Sequence, residues 1–250
     1  MTIALQTRNL VRRFGGLVAT NDVSLTLERG ARHALIGPNG AGKTTLINLL
    51  TGVLPPTSGT IALDGADITT TSRARRVELG LVRTFQINQL FPGFTPLQTV
   101  GLAVSRRLGL DRHMWRRIGS DPRVVSACVD VLERFDLLDV MNTRTASLPY
   151  GKQRLLEIAA AIACGPRVLL LDEPAAGVPE GERDEIMAGL AALPADVTVL
   201  LIEHDMDLVF RFASRISVLV QGGLLTEGTA AEIAADPRVR DVYLGDDTHG

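Results

Sequence analysis

One short loop near the start of the chain carries residues that are typical of phosphate binding. Gly37 to Thr44 read Gly-Pro-Asn-Gly-Ala-Gly-Lys-Thr and fit the pattern G-x-x-x-x-G-K-[ST]. In such a loop the backbone N–H groups and the start of the next helix bind phosphate oxygens. Lys43 can then bridge the β- and γ-phosphates of a nucleoside triphosphate, and Thr44 can coordinate Mg²⁺. The predicted nucleotide-binding residues are Gly37, Pro38, Asn39, Gly40, Ala41, Gly42, Lys43, Thr44 and Thr45.

The use of lysine in this chain supports that interpretation. Of the 26 lysine and arginine residues, only Lys43 and Lys152 are lysines, and each directly follows a glycine. A compact ammonium on a flexible stem can reach between phosphates, whereas a planar guanidinium would crowd the loop. A general bias toward arginine accounts for the composition but not for the positions of these two lysines.

An acidic pair follows an apolar run later in the chain. Val168 to Leu171 predict a buried strand, and Asp172 and Glu173 come directly after it. Ligands bind at the carboxyl ends of strands in open α/β sheets. Asp172 can therefore hold Mg²⁺ through water, and Glu173 can polarise an attacking water. An isolated Asp-Glu pair is as often a simple turn, but the phosphate loop upstream favours the catalytic interpretation.

Two further polar residues are candidates for the same site. His204 follows the apolar run Val197 to Ile202 and is predicted to contact a phosphate, although a lone histidine is more often structural. Gln86 follows Phe85 and, being neutral, is a candidate for a role at Mg²⁺ or at the attacking water.

The elements that must position these residues alternate between strands and helices, which predicts an α/β architecture. The apolar runs are continuous, as expected for strands buried on both faces of a parallel sheet. The predicted strands are Val23–Leu27, Arg32–Ile36, Ile61–Asp64, Val168–Leu171, Val197–Ile202 and Ile216–Val220. The predicted helices are Thr44–Leu50, Gln153–Ala163, Glu182–Leu193, Met206–Phe212 and a short one that starts at the capping box Thr229–Glu232.

Residues 86–150 differ from the rest and predict a helical subdomain within a single domain of residues 1–250. Ser126 to Leu138 have apolar residues at helical spacing. The basic stretch Arg106 to Arg117 includes Met114 and Trp115, and it fits either a solvated helix face or a surface for a partner.

Composition limits the classes of protein that remain. The chain has 250 residues, of which 46% are hydrophobic and 22% charged, so it is globular. A formal net charge of -2 does not predict a nucleic-acid partner. Cys128 and Cys164 do not form a secreted disulfide framework. Because no apolar run approaches the roughly 20 residues of a membrane span, we expect a soluble protein or one that joins a membrane through partners.

The order of these motifs resembles that of the ATP-binding subunits of ABC transporters, and the resemblance covers the whole chain. Leu148 to Gln153 occupy the place of the family signature L-S-G-G-Q, between Gln86 and the acidic pair. Several segments resemble the branched-chain amino acid subgroup more narrowly: Arg83–Gln86, Tyr150–Arg154, Glu173–Gly177, Ile202–Met206 and the tail from Asp236 to Gly245.

The resemblance implies a phosphate-loop NTPase fold of ABC type, with a mixed, largely parallel sheet, an antiparallel β subdomain and an inserted helical subdomain. It implies an ATPase that uses ATP and Mg²⁺, with catalytic residues Glu173, His204 and Gln86 and metal-binding residues Thr44, Gln86 and Asp172. Phe14 would stack on adenine, unless it is an ordinary core aromatic. The signature would complete the ATP site of a second subunit through Leu148, Pro149, Tyr150, Gly151, Lys152 and Gln153.

The implied partners are membrane permease subunits, a second ABC ATPase subunit in a homodimer or heterodimer, and indirectly a substrate-binding protein. The protein would then lie at the cytoplasmic face of the membrane and energise the import of a small molecule, such as a branched-chain or hydrophobic amino acid. Two alternatives remain open: an ABC ATPase of translation or DNA repair, and a nucleotide-binding regulator that does not hydrolyse ATP. This sequence shows neither the long coiled-coil insertion of the repair proteins nor the second cassette of the translation proteins. Glu173 argues against a regulator that does not hydrolyse ATP.

Three residues depart from the family pattern. Pro149 replaces the signature serine and so lacks both a hydroxyl and an N–H group. Lys152 replaces the signature glutamine, and Pro179 stands where an aspartate or asparagine is usual. Because the signature acts on the partner's nucleotide, we expect these changes to weaken the partner's site, unless neighbouring N–H groups suffice.

Overall fold

The computed structural model describes residues 2–84, 90–110 and 121–245, and these form two units. The first unit consists of Met1–Leu81, Arg167–Asp172 and Ala195–Gly250, and the second consists of Val82–Pro166 and Glu173–Pro194. The phosphate loop, Asp172 and His204 belong to the first unit, whereas Glu173 and the signature segment belong to the second.

The described residues form strands and helices in the following order. The strands are β1 (Ile3–Phe14), β2 (Leu17–Val23), β3 (Thr26–Glu28), β4 (Arg32–Ile36), β5 (Ser58–Leu63), β6 (Ala66–Asp67), β7 (Leu81–Arg83), β8 (Val168–Asp172), β9 (Thr198–Ile202), β10 (Arg215–Val220) and β11 (Gly223–Gly228). The helices are α1 (Lys43–Leu50), α2 (Arg73–Glu78), α3 (Pro96–Arg107), α4 (Pro122–Arg134), α5 (Tyr150–Ala163), α6 (Arg183–Ala191), α7 (Met206–Phe212), α8 (Ala230–Ala235) and α9 (Pro237–Gly245). No helix in this described part of the chain is both long and apolar enough to cross a bilayer.

The main sheet confirms the predicted α/β core. Its strand order is β11-β10-β4-β9-β8-β7, and β10, β4, β9 and β8 are paired in parallel. Every residue of β8 and β9 is buried, as their continuous apolar sequences predict. The hairpin strand β11 pairs antiparallel with β10, which makes the sheet mixed.

A second, antiparallel sheet lies in the same unit and has the order β2-β1-β5-β6, with β3 also paired to β1. The prediction of one strand over Val23–Leu27 is wrong, because β2 ends at Val23 and β3 begins at Thr26. Thr7 of β1 satisfies the backbone at this break. Its buried hydroxyl donates to Val23 O at 2.9 Å and accepts from Leu25 N at 2.9 Å. The sequence pattern did not predict β1, which holds this sheet together.

A buried arginine secures the helix that follows the phosphate loop. Arg76 donates from its guanidinium to Leu49 O at 2.7 Å and to Leu50 O at 2.6 Å, at the C-terminus of α1. It also donates to Thr69 O at 2.9 Å and Thr71 O at 3.0 Å. Burial lowers the pKa of Arg76, and the nearby Asp67 carboxylate opposes that shift. The carbonyls at a helix C-terminus lack intrahelical partners, so this cation stabilises the far end of α1.

The second unit is helical, and α3 packs against α4 and α5. The helix predicted over Ser126–Leu138 is α4, which begins earlier because Asp121 caps it and Pro122 occupies its first position. It also ends earlier than predicted, at Arg134. Residues 90–110 and 121–150 of the predicted subdomain fall in this unit, which continues beyond them. Residues 111–117 of the basic stretch lie outside the described part of the chain, so both interpretations of it stay predictions.

A chain of polar side chains runs from the buried His33 and Ser217 to the exposed Glu227 and Arg215, across three neighbouring strands of the main sheet. His33 Nε2 of β4 lies 2.8 Å from Ser217 Oγ of β10, and that hydroxyl donates to Glu227 Oε2 of β11 at 3.0 Å. Arg215 donates to the other oxygen of Glu227 at 2.8 Å. Burial lowers the pKa of His33 to about 4, the Glu227 charge opposes this shift, and the Arg215 charge adds to it.

We expect this histidine to make the fold sensitive to mild acid. An unfolded histidine has a pKa of about 6.5, so between that pH and about 4 the unfolded state binds more protons than the folded state. The free energy of unfolding therefore falls as the pH falls through this window, by about 2 kcal/mol between pH 7 and pH 5. Urea titrations at both pH values measure the loss. His33→Gln should show a smaller loss, and an equal loss in both proteins would contradict the assignment.

Candidate nucleotide-binding site

The phosphate loop joins β4 to α1, which is the strand–loop–helix context that the motif requires. Gly42 is the residue before α1, and the structure shows no side-chain hydrogen bond that caps this helix end. The first N–H groups of a helix lack intrahelical acceptors, so they are suited to bind an anion. Gly222 N donates to Ala41 O at 2.9 Å and holds the loop against the hairpin of β10 and β11.

Two glycines of the loop are required by close backbone contacts. Gly42 has a φ of 100°, and a Cβ atom there would lie 2.5 Å from Ala19 O. A Cβ atom at Gly37 would lie 2.1 Å from Leu219 O. At Gly40, by contrast, an added Cβ atom would meet nothing within 4 Å. The loop is therefore packed against the protein at Gly37 and Gly42, and it is open at Gly40. This shape fits a phosphate chain.

Lys43 is held over this loop by the loop itself. Its ammonium donates to Gly37 O and, at 2.9 Å, to Pro38 O. The charge therefore lies beside the backbone N–H groups that face an anion, where phosphate oxygens can replace the carbonyls as acceptors. Thr44 is exposed in the first turn of α1 and Thr45 is partly buried.

The parallel sheet brings Asp172 to the edge from which the phosphate loop starts. Asp172, the last residue of β8, is in register with Ile202, the last residue of β9. Ile202 is in turn in register with Leu35, near the end of β4. Neighbouring strands lie roughly 4.8 Å apart, so β8 and β4 are separated by about 10 Å. A largely buried carboxylate at this distance is suited to a water-mediated Mg²⁺ contact.

Glu203 also lies at this edge of the sheet, although none of the sequence motifs includes it in a predicted site. It is 1% exposed, and its Oε2 accepts from His204 N at 3.1 Å and Asp205 N at 3.5 Å. The signal in the sequence was a carboxylate that directly follows a fully apolar strand, as at Asp172. Its contacts set the turn from β9 into α7, which Asp205 caps through Asp207 N and Leu208 N.

His204 extends from that turn. Its side chain is 66% exposed, and its Nδ1 lies 3.8 Å from Glu203 Oε2. The carboxylate of Glu203 therefore orients the turn that presents His204 at the same sheet edge as Asp172. Contact between His204 and a phosphate stays a prediction.

Glu173 has an unusual backbone conformation. Its φ is 48°, in the left-handed region that costs a non-glycine residue roughly 1–2 kcal/mol. The turn is closed by Ala176 N, which donates to Glu173 O at 3.0 Å. Strain of this kind concentrates at functional positions. Gln86, the other predicted catalytic residue, lies outside the described residues.

Phe14 ends β1 and is not part of the hydrophobic core, because the residue is 42% exposed. The guanidinium of Arg12 lies 4.5 Å from the centre of this ring. The same guanidinium donates to Pro55 O at 2.9 Å. Stacking of Phe14 on adenine stays a prediction.

The signature segment forms the start of α5 in the second unit. Pro149 precedes the helix and provides no side-chain cap. Gly151 N instead donates to Glu182 Oε2 at 2.6 Å. Lys152 Nζ donates to Asp136 O at 2.7 Å and to Asp136 Oδ2 at 2.8 Å, and its side chain is only 14% exposed. Gln153 turns back to the buried Leu148, donating to its carbonyl at 2.9 Å.

Comparisons with known proteins agree with this arrangement of motifs. The family model described as ABC transporter matches residues 20–176, and the model described as branched-chain amino acid ATP-binding cassette transporter matches residues 224–249. The chain is 41% identical to the high-affinity branched-chain amino acid transport ATP-binding protein BraF of Pseudomonas aeruginosa, over 97% of this chain and 98% of that protein. It is 40% identical to the corresponding protein LivG of Escherichia coli K12, over the same shares.

Solved structures show the same fold. The crystal structure of the ADP conformation of an ATP-binding cassette of an ABC transporter has a TM-score of 0.85 and 30% identity, and the match covers 98% of this chain and all of that one. A nucleotide-free ATP-binding cassette from an ABC transporter has a TM-score of 0.83 and 30% identity, with 96% and 98% covered. The predicted fold class and the resemblance seen in the sequence are thereby confirmed, and the chain belongs to the ABC transporter family as one of its ATP-hydrolysing cassettes.

Proposed function

We propose that this ATPase energises the import of a branched-chain or other hydrophobic amino acid. The observation that carries the ATP-dependent part of the proposal is the phosphate loop, with Lys43 at the start of α1 and Asp172 at the same sheet edge. The names of the relatives support the cargo, since those of Pseudomonas aeruginosa and Escherichia coli are described as branched-chain amino acid transport proteins.

In the proposed reaction, backbone N–H groups of the loop and the Lys43 ammonium bind the phosphates of ATP. Thr44 and Asp172, with Gln86, would hold Mg²⁺, which offsets phosphate charge when bound. Glu173 polarises the attacking water, and His204 contacts the γ-phosphate. Among the described residues, no group of three or more His, Cys, Asp or Glu side chains is placed to hold a metal ion. Mg²⁺ that arrives with phosphates needs only one or two protein oxygens, so the residues present fit it.

The proposed assembly contains two cassettes, two permease subunits and, indirectly, a substrate-binding protein. The second unit would transmit nucleotide-driven closure of the two cassettes to the permease subunits. The protein would then lie at the cytoplasmic face of the membrane, attached through these partners, with no role for nucleic acid.

Reconstitution tests this proposal directly. The chain is co-expressed with candidate permease and ATPase subunits from neighbouring genes, and the purified complex is placed in proteoliposomes with Mg·ATP. We expect uptake of labelled leucine or valine that depends on ATP and is lost in Lys43→Ala. A chain that hydrolyses ATP but never co-purifies with membrane proteins would favour the non-transport alternative. Absence of hydrolysis would favour a regulator.

The working transporter is expected to pair this chain with a different ATPase subunit and to use its two ATP sites unequally. The residues of its own site fit the family pattern: Lys43, Thr44, Gln86, Asp172, Glu173 and His204. Pro149, which it would lend across the interface, has no hydroxyl, and one lost hydrogen bond to a charged group costs about 1.5–3 kcal/mol. That cost corresponds to a tenfold or larger difference between the sites. Lys152 is engaged by Asp136, which limits how far its ammonium can compensate.

Single replacements of the catalytic glutamate in each subunit of the reconstituted complex measure this asymmetry. The replacement in this chain should abolish most ATPase activity, and the replacement in its partner should abolish little. Pro149→Ser should narrow the difference, because it restores the hydroxyl. Equal losses from the two replacements would refute the asymmetry, as would full activity of this chain alone as a homodimer.

A further inference from the structure

In the signature segment, one backbone N–H group is already hydrogen-bonded to a carboxylate of the same chain. Glu182 Oε2 accepts from Gly151 N at 2.6 Å, a short distance for a hydrogen bond to an ionised acceptor. The two residues also touch closely, since a Cβ atom added to Gly151 would lie 2.6 Å from Glu182 Oε2 and 3.1 Å from Glu182 Cβ. A side chain at position 151 would therefore displace the Glu182 carboxylate from this contact.

The segment that contains Glu182, residues 173–182, also contacts helix α5 through two further hydrogen bonds. Tyr150 Oη donates to Ala176 O at 3.4 Å, and Arg154 Nη2 donates to the same carbonyl at 3.4 Å. Ala176 N in turn donates to Glu173 O at 3.0 Å. Residues 173–182 thus connect the proposed catalytic Glu173 to the start of α5. Within this segment, the carboxylate that contacts Gly151 is that of Glu182.

This contact conflicts with the role proposed for the signature. A backbone amide has a single N–H group, so Gly151 cannot donate fully to Glu182 and to a phosphate of the partner's ATP. A carboxylate beside an incoming γ-phosphate would also repel it. Pro149 makes the conflict sharper, because it offers neither a hydroxyl nor an N–H group to the phosphate.

We propose that Glu182 is an autoinhibitory gate, whose carboxylate must leave Gly151 before the signature can bind the ATP of a second subunit. The proposal rests on the proposed function, in which the signature acts across the interface of two cassettes. The gate holds the signature closed in the separated chain, and an ATP-loaded partner opens it. Glu182 lies in a single 3-10 turn, Glu180–Glu182, and is only partly buried, so its side chain can rotate into solvent.

A purely structural role makes the opposite prediction. If Glu182 serves only to cap α5 in place of Pro149, its removal should loosen the signature and weaken association with a partner. If it is a gate, its removal should lower the stability of the separated chain slightly but strengthen ATP-dependent association, because the competing acceptor is gone.

Sedimentation of four variants with Mg·ATP distinguishes the two roles. All four carry Glu173→Gln to prevent hydrolysis. The parent carries only this change, and each of the other three adds Glu182→Gln, Glu182→Ala or Glu180→Gln. The last is a matched control, since Glu180 is exposed in the same turn and has the same charge. We expect Glu182→Ala to form the ATP-bound dimer with an at least tenfold lower dissociation constant, and the Glu180 variant to match its parent. Glu182→Gln loses the charge but keeps an amide oxygen that can accept from Gly151 N, so its dissociation constant should lie between those of the parent and of Glu182→Ala. If the parent does not associate detectably, the Glu182 variants should make association measurable.

Binding of a fluorescent ATP analogue to each separated chain is measured in parallel. If all four chains bind it equally and the Glu182 variants associate no more tightly than the parent, the gate is overturned and the nucleotide site stands. If association weakens together with the thermal unfolding midpoint, Glu182 is a structural cap and the gate is likewise overturned. If the parent does not bind the analogue at all, the proposed function fails, and the gate fails with it.

Discussion

Replacing Glu173 by glutamine should stop ATP turnover and leave ATP binding intact. Glu173 directly follows Asp172, which lies at the same sheet edge as the phosphate loop. The backbone of Glu173 is left-handed, and strain of this kind is retained at functional positions. A general base typically contributes about 10²–10⁴-fold to the rate, so the loss should fall in that range. Glutamine has the same size and can keep the backbone geometry, which separates loss of the charge from loss of the fold. Steady-state phosphate release measures the effect.

The same variant should accumulate as an ATP-bound dimer, visible by size-exclusion chromatography with Mg·ATP. Glu180→Gln is the matched control, because it removes one exposed carboxylate from the same segment and should hydrolyse ATP normally. Normal turnover by the Glu173 variant would show that another residue is the base, and Glu203 and His204 would then be the next to test.

Replacing Lys43 by alanine should abolish tight nucleotide binding. The ammonium lies over the loop on the carbonyls of Gly37 and Pro38, and it is the charge that phosphates would meet there. A charge-assisted contact of this type contributes about 1.5–3 kcal/mol, which corresponds to a roughly 10- to 150-fold weaker affinity. Titration with a fluorescent ATP analogue gives both dissociation constants.

Arg29→Ala serves as the control for a general charge effect. Arg29 is an exposed cation of the same unit, paired with Asp64 at 2.7 Å, and its loss should leave the affinity unchanged. The assignment of the loop would be wrong if Lys43→Ala bound the analogue as tightly as the unmodified chain.

The phosphate loop and the α/β core could be predicted from the sequence because both are encoded locally. The glycines of the loop recur at fixed spacing within eight residues, and the structure shows why Gly37 and Gly42 admit no Cβ atom. The strands β8 and β9 were recognisable because strands covered on both faces are apolar at every position. Helix α7 was predicted with the bounds that the structure has, as one of the helical segments that alternate with the strands.

Contacts between distant segments are not written in any local pattern, and only the folded chain decided them. The alignment of Asp172 with the phosphate-loop strand depends on the strand order β4-β9-β8. Arg76 carries no sign in the sequence that it caps α1, because its partners are backbone carbonyls.

The signature segment shows most clearly which features the sequence determines and which only the tertiary structure decides. The sequence alone determined that Pro149 lacks a hydroxyl and that Lys152 departs from the family pattern. Only the tertiary structure showed that Lys152 is engaged by Asp136 and that Gly151 is occupied by Glu182, 31 residues further along the chain. Backbone amides have the same donor in every residue, so their partner is chosen by packing, which a sequence pattern does not specify.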